Sequence, residues 1–107
     1  MSDQLSLSSV KTLIVQRLPV RYPTIEHVAR LLRMPVRTLQ RHLQESGFSY
    51  SALVEETRFE LACRLLDEPH AQVAAVAKAL GYTDQSSFSR AFRRWSGMSP
   101  REYQHRC

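Results

Sequence analysis

Apolar residues recur along this chain at intervals of three and four, and each run ends at a proline, a glycine or a short polar break. Leu7, Val10, Ile14 and Leu18 predict a first amphipathic helix from about Ser8 to Leu18, closed off by Pro19 and Pro23. Thr24 is a favourable N-cap and Glu26 faces the positive end of the next helix, a short one formed by Ile25, Val28, Ala29 and Leu32. Met34-Pro35 breaks it, because the residue before a proline is pushed out of the α region and Pro35 suits a first helical position. The third helix runs from about Pro35 to Ser46 with Leu39 and Leu43 inward, and Gly47 is its C-cap.

Ser49 opens the longest helix, which carries Tyr50, Leu53, Val54, Thr57, Leu61, Leu65 and Leu66 along one side until Pro69 stops it. Val73, Val76, Ala77 and Leu80 form a short fifth helix ended by Gly81. Thr83 is the expected cap of a sixth, with Phe88, Ala91, Phe92 and Trp95 inward and Gly97 after it. Ser99-Pro100-Arg101-Glu102 has the form of a capping box with proline at the first helical position, and Tyr103 anchors the last helix. No alternating β-branched run interrupts the series. The expected fold is all-α: seven helices, as two helix-turn-helix subdomains joined by a long linker helix. The boundaries are 8–48 for the first subdomain, 49–68 for the linker helix and 70–106 for the second.

An internal repeat supports that division. Val28-Ala29-x-x-Leu32 recurs as Val76-Ala77-x-x-Leu80, Leu39-x-Arg41-x-Leu43 as Phe88-x-Arg90-x-Phe92, and Ser46-Gly47-x-Ser49 as Ser96-Gly97-x-Ser99. The offset grows by one at each step, which puts single insertions in the turns and leaves the helices intact. A short helix, a tight turn and a second helix, twice over, is the helix-turn-helix plan.

Charge adds a partner to this picture. The net charge is +5, and Lys11 and Lys78 are the only lysines. Arg30, Arg33, Arg37 and Arg41 lie in an acid-free stretch, and Arg90, Arg93, Arg94, Arg101 and Arg106 form a second basic zone. Between them, residues 49–68 are acidic. Two arginine-rich zones suggest two anion-facing surfaces, and arginine's planar fork suits phosphate and guanine. Cys63 and Cys107 have no metal-type spacing and imply no disulfide framework. His27, His42, His70 and His105 form no ligand-spaced pair. No nucleophile motif or phosphate-binding glycine loop is present, so neither an enzyme nor a cofactor is expected. No apolar run approaches the ~20 residues of a membrane span, and a soluble cytoplasmic protein is expected.

In a helix-turn-helix unit the second helix enters the major groove with its N-terminal residues at the base edges. Subtracting inward positions leaves Val36, Arg37, Gln40, Arg41 and Gln44 on the third helix, and Gln85, Ser86, Ser89, Arg90 and Arg93 on the sixth. Arginine can pair bidentately with guanine and glutamine with adenine. The rival reading is an all-α interaction module whose arginine-rich faces bind an acidic protein.

Arg37-Thr38-Leu39-Gln40-Arg41, Arg58 through Ala62 and Leu66, and Ala77-x-x-Leu80-Gly81-Tyr82-x-Asp84-x-Ser86-x-Phe88-x-Arg90-x-Phe92, followed by Gly97-x-Ser99-Pro100-x-x-Tyr103, resemble the AraC/XylS family of bacterial transcription regulators. The match covers about Thr24 to Tyr103. The resemblance implies binding to double-stranded DNA, usually with activation through contact with RNA polymerase. It implies base contacts by Arg37, Gln40 and Arg41 in the first unit and by Gln85, Ser86, Ser89 and Arg90 in the second, with Thr38, Ser87, Arg94 and Arg101 on phosphates. Three positions depart from the pattern: Arg33 stands where the first turn normally has glycine, Pro35 replaces a usual N-cap serine, and Gln104 replaces a common arginine. A left-handed conformation at Arg33 would cost ~1 kcal/mol or more relative to glycine. Most such regulators carry a separate N-terminal effector or dimerisation domain. This chain is therefore read as the C-terminal part of a longer regulator, monomeric when isolated and dimeric only through that further domain.

Overall fold

The structure is a computed structural model that describes residues 6–106. Among these it forms seven helices and no strand: α1 Leu7–Arg17, α2 Ile25–Leu31, α3 Val36–Glu45, α4 Tyr50–Leu66, α5 Val73–Ala79, α6 Gln85–Ser96 and α7 Pro100–Gln104. The chain divides into two compact units, one up to Thr57 and one from Arg58, so the boundary falls inside α4. The long helix expected over 49–68 corresponds to α4, which carries residues of both units. It also stops at Leu66, two residues short of Glu68; the amides of Asp67 and Glu68 donate to the carbonyls of Cys63 and Leu65 as the helix unwinds. His70 then takes a left-handed conformation with φ 65°. No helix among the described residues is long and apolar enough to cross a membrane.

In the first unit the three- and four-residue spacing becomes a core. Val10, Ile14 and Leu18 from the α1 stretch, Val28 and Ala29 of α2, Leu39 and Leu43 of α3, and Leu53 and Val54 of α4 are all buried. Each large aliphatic side chain so enclosed contributes about 1.5–3 kcal/mol of transfer free energy. Two polar groups inside are satisfied: the Thr57 hydroxyl donates to the Leu53 carbonyl at 2.7 Å, and the Tyr50 hydroxyl donates to the carbonyl of Pro23. Burial, with smaller effects from Tyr22 and Glu26, pushes the Tyr50 hydroxyl far above its ordinary pKa, so it remains a donor. Lys11 Nζ pairs with Glu56 Oε2 at 3.1 Å and ties α1 to α4.

The second unit is built on aromatics. Phe92 is fully buried, with its ring 5.7 Å from Phe59, 5.9 Å from Phe88, 6.4 Å from Trp95 and 5.3 Å from Tyr103, in tilted or edge-on arrangements. Leu80, Ala62, Val76, Ala77 and Ala91 fill the space around them. Trp95, expected to point inward, is half-buried at the rim, edge-on to Phe59 at 5.9 Å. Phe59 lies off the expected stripe of α4. That helix serves the first core through Leu53 and Val54 and the second through Phe59, Ala62 and Leu66, so its buried face shifts partway along.

Phe92→Ala should therefore lose ~3–5 kcal/mol of stability in a urea titration. Trp95→Ala removes a rim residue and should lose roughly 1–2 kcal/mol, in line with its partial burial.

Candidate nucleic-acid interface

Each unit reverses direction between two helices by the same turn. In the first, the amides of Arg33 and Met34 donate to the carbonyls of Arg30 and Ala29, both at 3.1 Å, and Arg33 has φ 58°. In the second, the amides of Gly81 and Tyr82 donate to Lys78 and Ala77, both at 3.0 Å, and Gly81 has φ 87°. This crossed pair of bonds around one left-handed residue ends α2 and α5 alike. The left-handed state anticipated at Arg33 is present.

The starts of α3 and α6 differ. Pro35 is the N-cap of α3, extended at φ −64° and ψ 150°, and makes no side-chain cap bond. It stands one position before the first helical residue that the sequence suggested for it. At α6 the cap is Asp84, where the sequence pointed to Thr83. Its Oδ1 accepts the Ser87 amide at 2.7 Å and its Oδ2 accepts the Ser87 hydroxyl at 3.2 Å. The signal was present, since aspartate is among the best N-caps and Asp84 lies three residues before a small polar residue. Hydrogen bonds from the Ser87 amide and hydroxyl hold the Asp84 carboxyl below the usual carboxylate range, with Arg90 adding to the effect.

The expected capping box is present at the start of α7. The Glu102 amide donates to Ser99 Oγ at 3.1 Å, and Glu102 Oε1 accepts the Ser99 amide at 2.7 Å. The same oxygen accepts Arg93 Nη2 at 3.2 Å, joining α7 to α6. Arg93 thus has a carboxylate partner within the fold, at an exposed position. The Ser99 amide and then the Arg93 charge lower the Glu102 pKa. Arg58 lies over the Tyr82 ring at 4.6 Å, and Tyr82 packs on Phe88 at 5.7 Å, so the residue after the second turn is held from two sides. Gln104 donates to the Ala71 carbonyl at 2.9 Å, an internal role in place of the arginine common there.

With the caps and core assigned, two faces remain. On α3, Arg37, Gln40, Arg41 and Gln44 are exposed opposite buried Leu39 and Leu43, while Val36 and Thr38 are half-buried at the edges. Neither Arg37 nor Arg41 has a side-chain partner among the described residues. On α6, Gln85, Ser86, Ser89 and Arg90 line one shallow open groove, so the four positions singled out by sequence come together. Arg90 also donates to the Ser87 hydroxyl at 3.4 Å, and that hydroxyl is already bound to Asp84. Arg94 and Arg101 are exposed. Burial, then the charges of Arg17 and Arg30, lower the pKa of His27 on α2, consistent with a positive field there. Among the described residues no group of three or more His, Cys, Asp or Glu is arranged to hold a metal ion. Cys107 lies outside the described residues.

Asp84 and Glu102 are ionised more readily in the folded chain than in the unfolded one. The stability they contribute is complete above the unfolded carboxylate range, near pH 4, and is lost as pH falls through the lowered folded values. Asp84→Asn should melt below the parent chain at pH 7, and the gap should close in acid below about pH 4. A gap that widened in acid would contradict the assignment of Asp84 as the ionised cap.

A family model described as a helix-turn-helix domain matches residues 28–106. An uncharacterized HTH-type transcriptional regulator of Mycobacterium tuberculosis is 46% identical over 85 residues, covering 79% of this chain and 25% of that protein. The ornithine utilization regulator of Pseudomonas aeruginosa is 36% identical over 97 residues, covering 91% of this chain and 28% of its own length. The chain thus spans between a quarter and a third of the curated relatives it matches. A DNA-binding transcriptional dual regulator from Escherichia coli superposes with a TM-score of 0.80 at 33% identity, covering 94% of this chain and 96% of that one. The DNA-binding domain of AdpA, solved with a target DNA, superposes with a TM-score of 0.72 at 28% identity, covering 96% and 91%. The doubled helix-turn-helix, its repeated turn and these similarities agree: the chain belongs to the AraC-type helix-turn-helix transcriptional regulators.

Proposed function

We propose that this chain binds promoter DNA sequence-specifically, setting α3 and α6 into neighbouring major-groove segments, and acts on transcription in the bacterial cytoplasm through contact with RNA polymerase. The observation that carries this reading is the repetition. The same turn, twice, is followed by a helix with a buried apolar side and an exposed arginine- and glutamine-bearing side. One such face on a surface helix would be ordinary; two at matching places in a repeat favour a ligand that is itself repetitive. The AdpA domain's complex with its target DNA supports duplex DNA as that ligand, above an acidic protein.

In this reading Arg37, Gln40 and Arg41 meet bases from α3, and Gln85, Ser86, Ser89 and Arg90 meet them from α6. Thr38, Arg94 and Arg101 lie toward phosphates. Ser87 reaches a phosphate only by giving up its bond to Asp84. Because the two faces differ, the domain reads two unlike half-sites in tandem as a monomer, whereas a dimer of identical units would read a palindrome. Dimerisation of the whole protein would then come from elsewhere in it.

Selection from a random DNA pool, with footprinting and stoichiometry on the selected duplex, tests the reading. The expected result is one chain on a non-palindromic site; two chains on a palindrome would refute it. With about six to ten phosphates neutralised, affinity should fall roughly 10³–10⁵-fold from 50 to 200 mM salt. Arg41→Ala and Arg90→Ala should each lose ~1–3 kcal/mol of binding and relax preference at particular base pairs. Arg101→Ala should weaken all sequences alike and shallow the salt slope.

A further inference from the structure

We infer that Arg33, in the turn between α2 and α3, is a DNA-phosphate contact retained despite an unfavourable conformation, an inference that rests on the DNA reading above. Arg33 and Gly81 occupy the same place in the two repeats, with the same pair of amide bonds on either side and positive φ in both. The backbone at this place has one solution, which glycine adopts freely and a residue with a Cβ adopts under strain. The second unit uses the unstrained residue; the first uses arginine.

No side-chain partner among the described residues compensates for that choice. The Arg33 side chain is exposed and has neither ion pair nor hydrogen bond among the described residues. Its charged neighbours along the chain, Arg30 and Arg37, are exposed arginines, and neither can neutralise it. A residue strained in the free protein, with its charge unpaired there, finds its compensation in a complex, and the group that suits a guanidinium is anionic. Arg33 stands three residues before α3 begins, on the approach to the helix whose exposed arginines meet the bases. The groups that flank a helix N-terminus seated in a major groove are backbone phosphates, and the guanidinium fork matches their oxygens. The departure from glycine therefore gives the first unit a phosphate anchor at the turn, which the second unit lacks at Gly81.

The test uses the 107-residue chain, its Arg33→Gly and Arg33→Lys variants, and a mixed-sequence duplex two helical turns long. Arg33→Gly should melt no lower than the parent chain. Its affinity should drop about fivefold near 0.15 M salt, and its salt slope should be shallower by about 0.9, the signature of one lost phosphate. Arg33→Lys should keep both the parent slope and the parent melting temperature. An Arg33→Gly variant with the parent's slope and affinity overturns this inference alone, as does one that melts lower, which would make Arg33 a structural residue. Loss of affinity with an unchanged slope also overturns it, by removing the charge from the explanation. A parent chain that ignores DNA at every salt concentration, while an acidic protein such as a polyglutamate chain binds it, overturns both readings.

Discussion

In both units the chain ends one helix and starts the next by passing through a single residue at positive φ, and this turn organises each of them. The left-handed residue turns the backbone, the two crossed amide bonds close the end of the first helix, and the next helix leaves in a fixed direction. Once that direction is set, the spacing of Leu39 and Leu43, or of Phe88 and Phe92, decides which side of the second helix meets the core. The polar side follows by exclusion. Arg37, Gln40 and Arg41 are presented outward because Leu39 and Leu43, on the other side of the same helix, are needed inside.

The two units solve the same geometrical problem with different chemistry. The second has glycine at the turn, a carboxylate cap whose two oxygens both serve Ser87, and a stack of rings centred on Phe92. A further carboxylate, Glu102, joins α7 to α6 by accepting from both the Ser99 amide and Arg93. The first has a strained arginine, a proline cap without a side-chain bond, and an aliphatic core. The start of α6 is held by a side-chain cap, whereas the start of α3 relies on proline's restricted φ and on packing.

Much of this is legible in the sequence, because the strongest signals are local. Thr24, Gly47, Ser99 and Glu102 declare helix ends through bonds to residues three positions away, and the repeat aligns the rest. What escaped depends on residues that meet from distant parts of the chain, or on a choice between neighbours. Thr83 and Asp84 are both good caps, and which one acts depends on where the backbone leaves Gly81. Phe59 is off the stripe of its own helix, and only the rings of Phe92 and Trp95 give it a place. Trp95 continues the three-and-four spacing of Phe88 and Phe92, yet that spacing specifies a side of a helix and not how far the core extends along it. His70 gave no sign of its left-handed state, since no glycine marks that turn. The base- and phosphate-facing roles of the exposed residues are carried by residue type and resemblance, because a free protein does not display its ligand.

The scarcity of lysine has a practical and regulatory consequence. Lys11 is paired with Glu56 on α4, Lys78 is exposed on α5, and neither α3 nor α6 contains a lysine. Guanidinium groups do not undergo the acetylation that neutralises amines, so an acetyltransferase has no side chain on either arginine face to silence. The same property makes the chain easy to label. An amine-reactive dye finds Lys78 as its one exposed lysine among the described residues, and it leaves the chemistry of both exposed helix faces untouched.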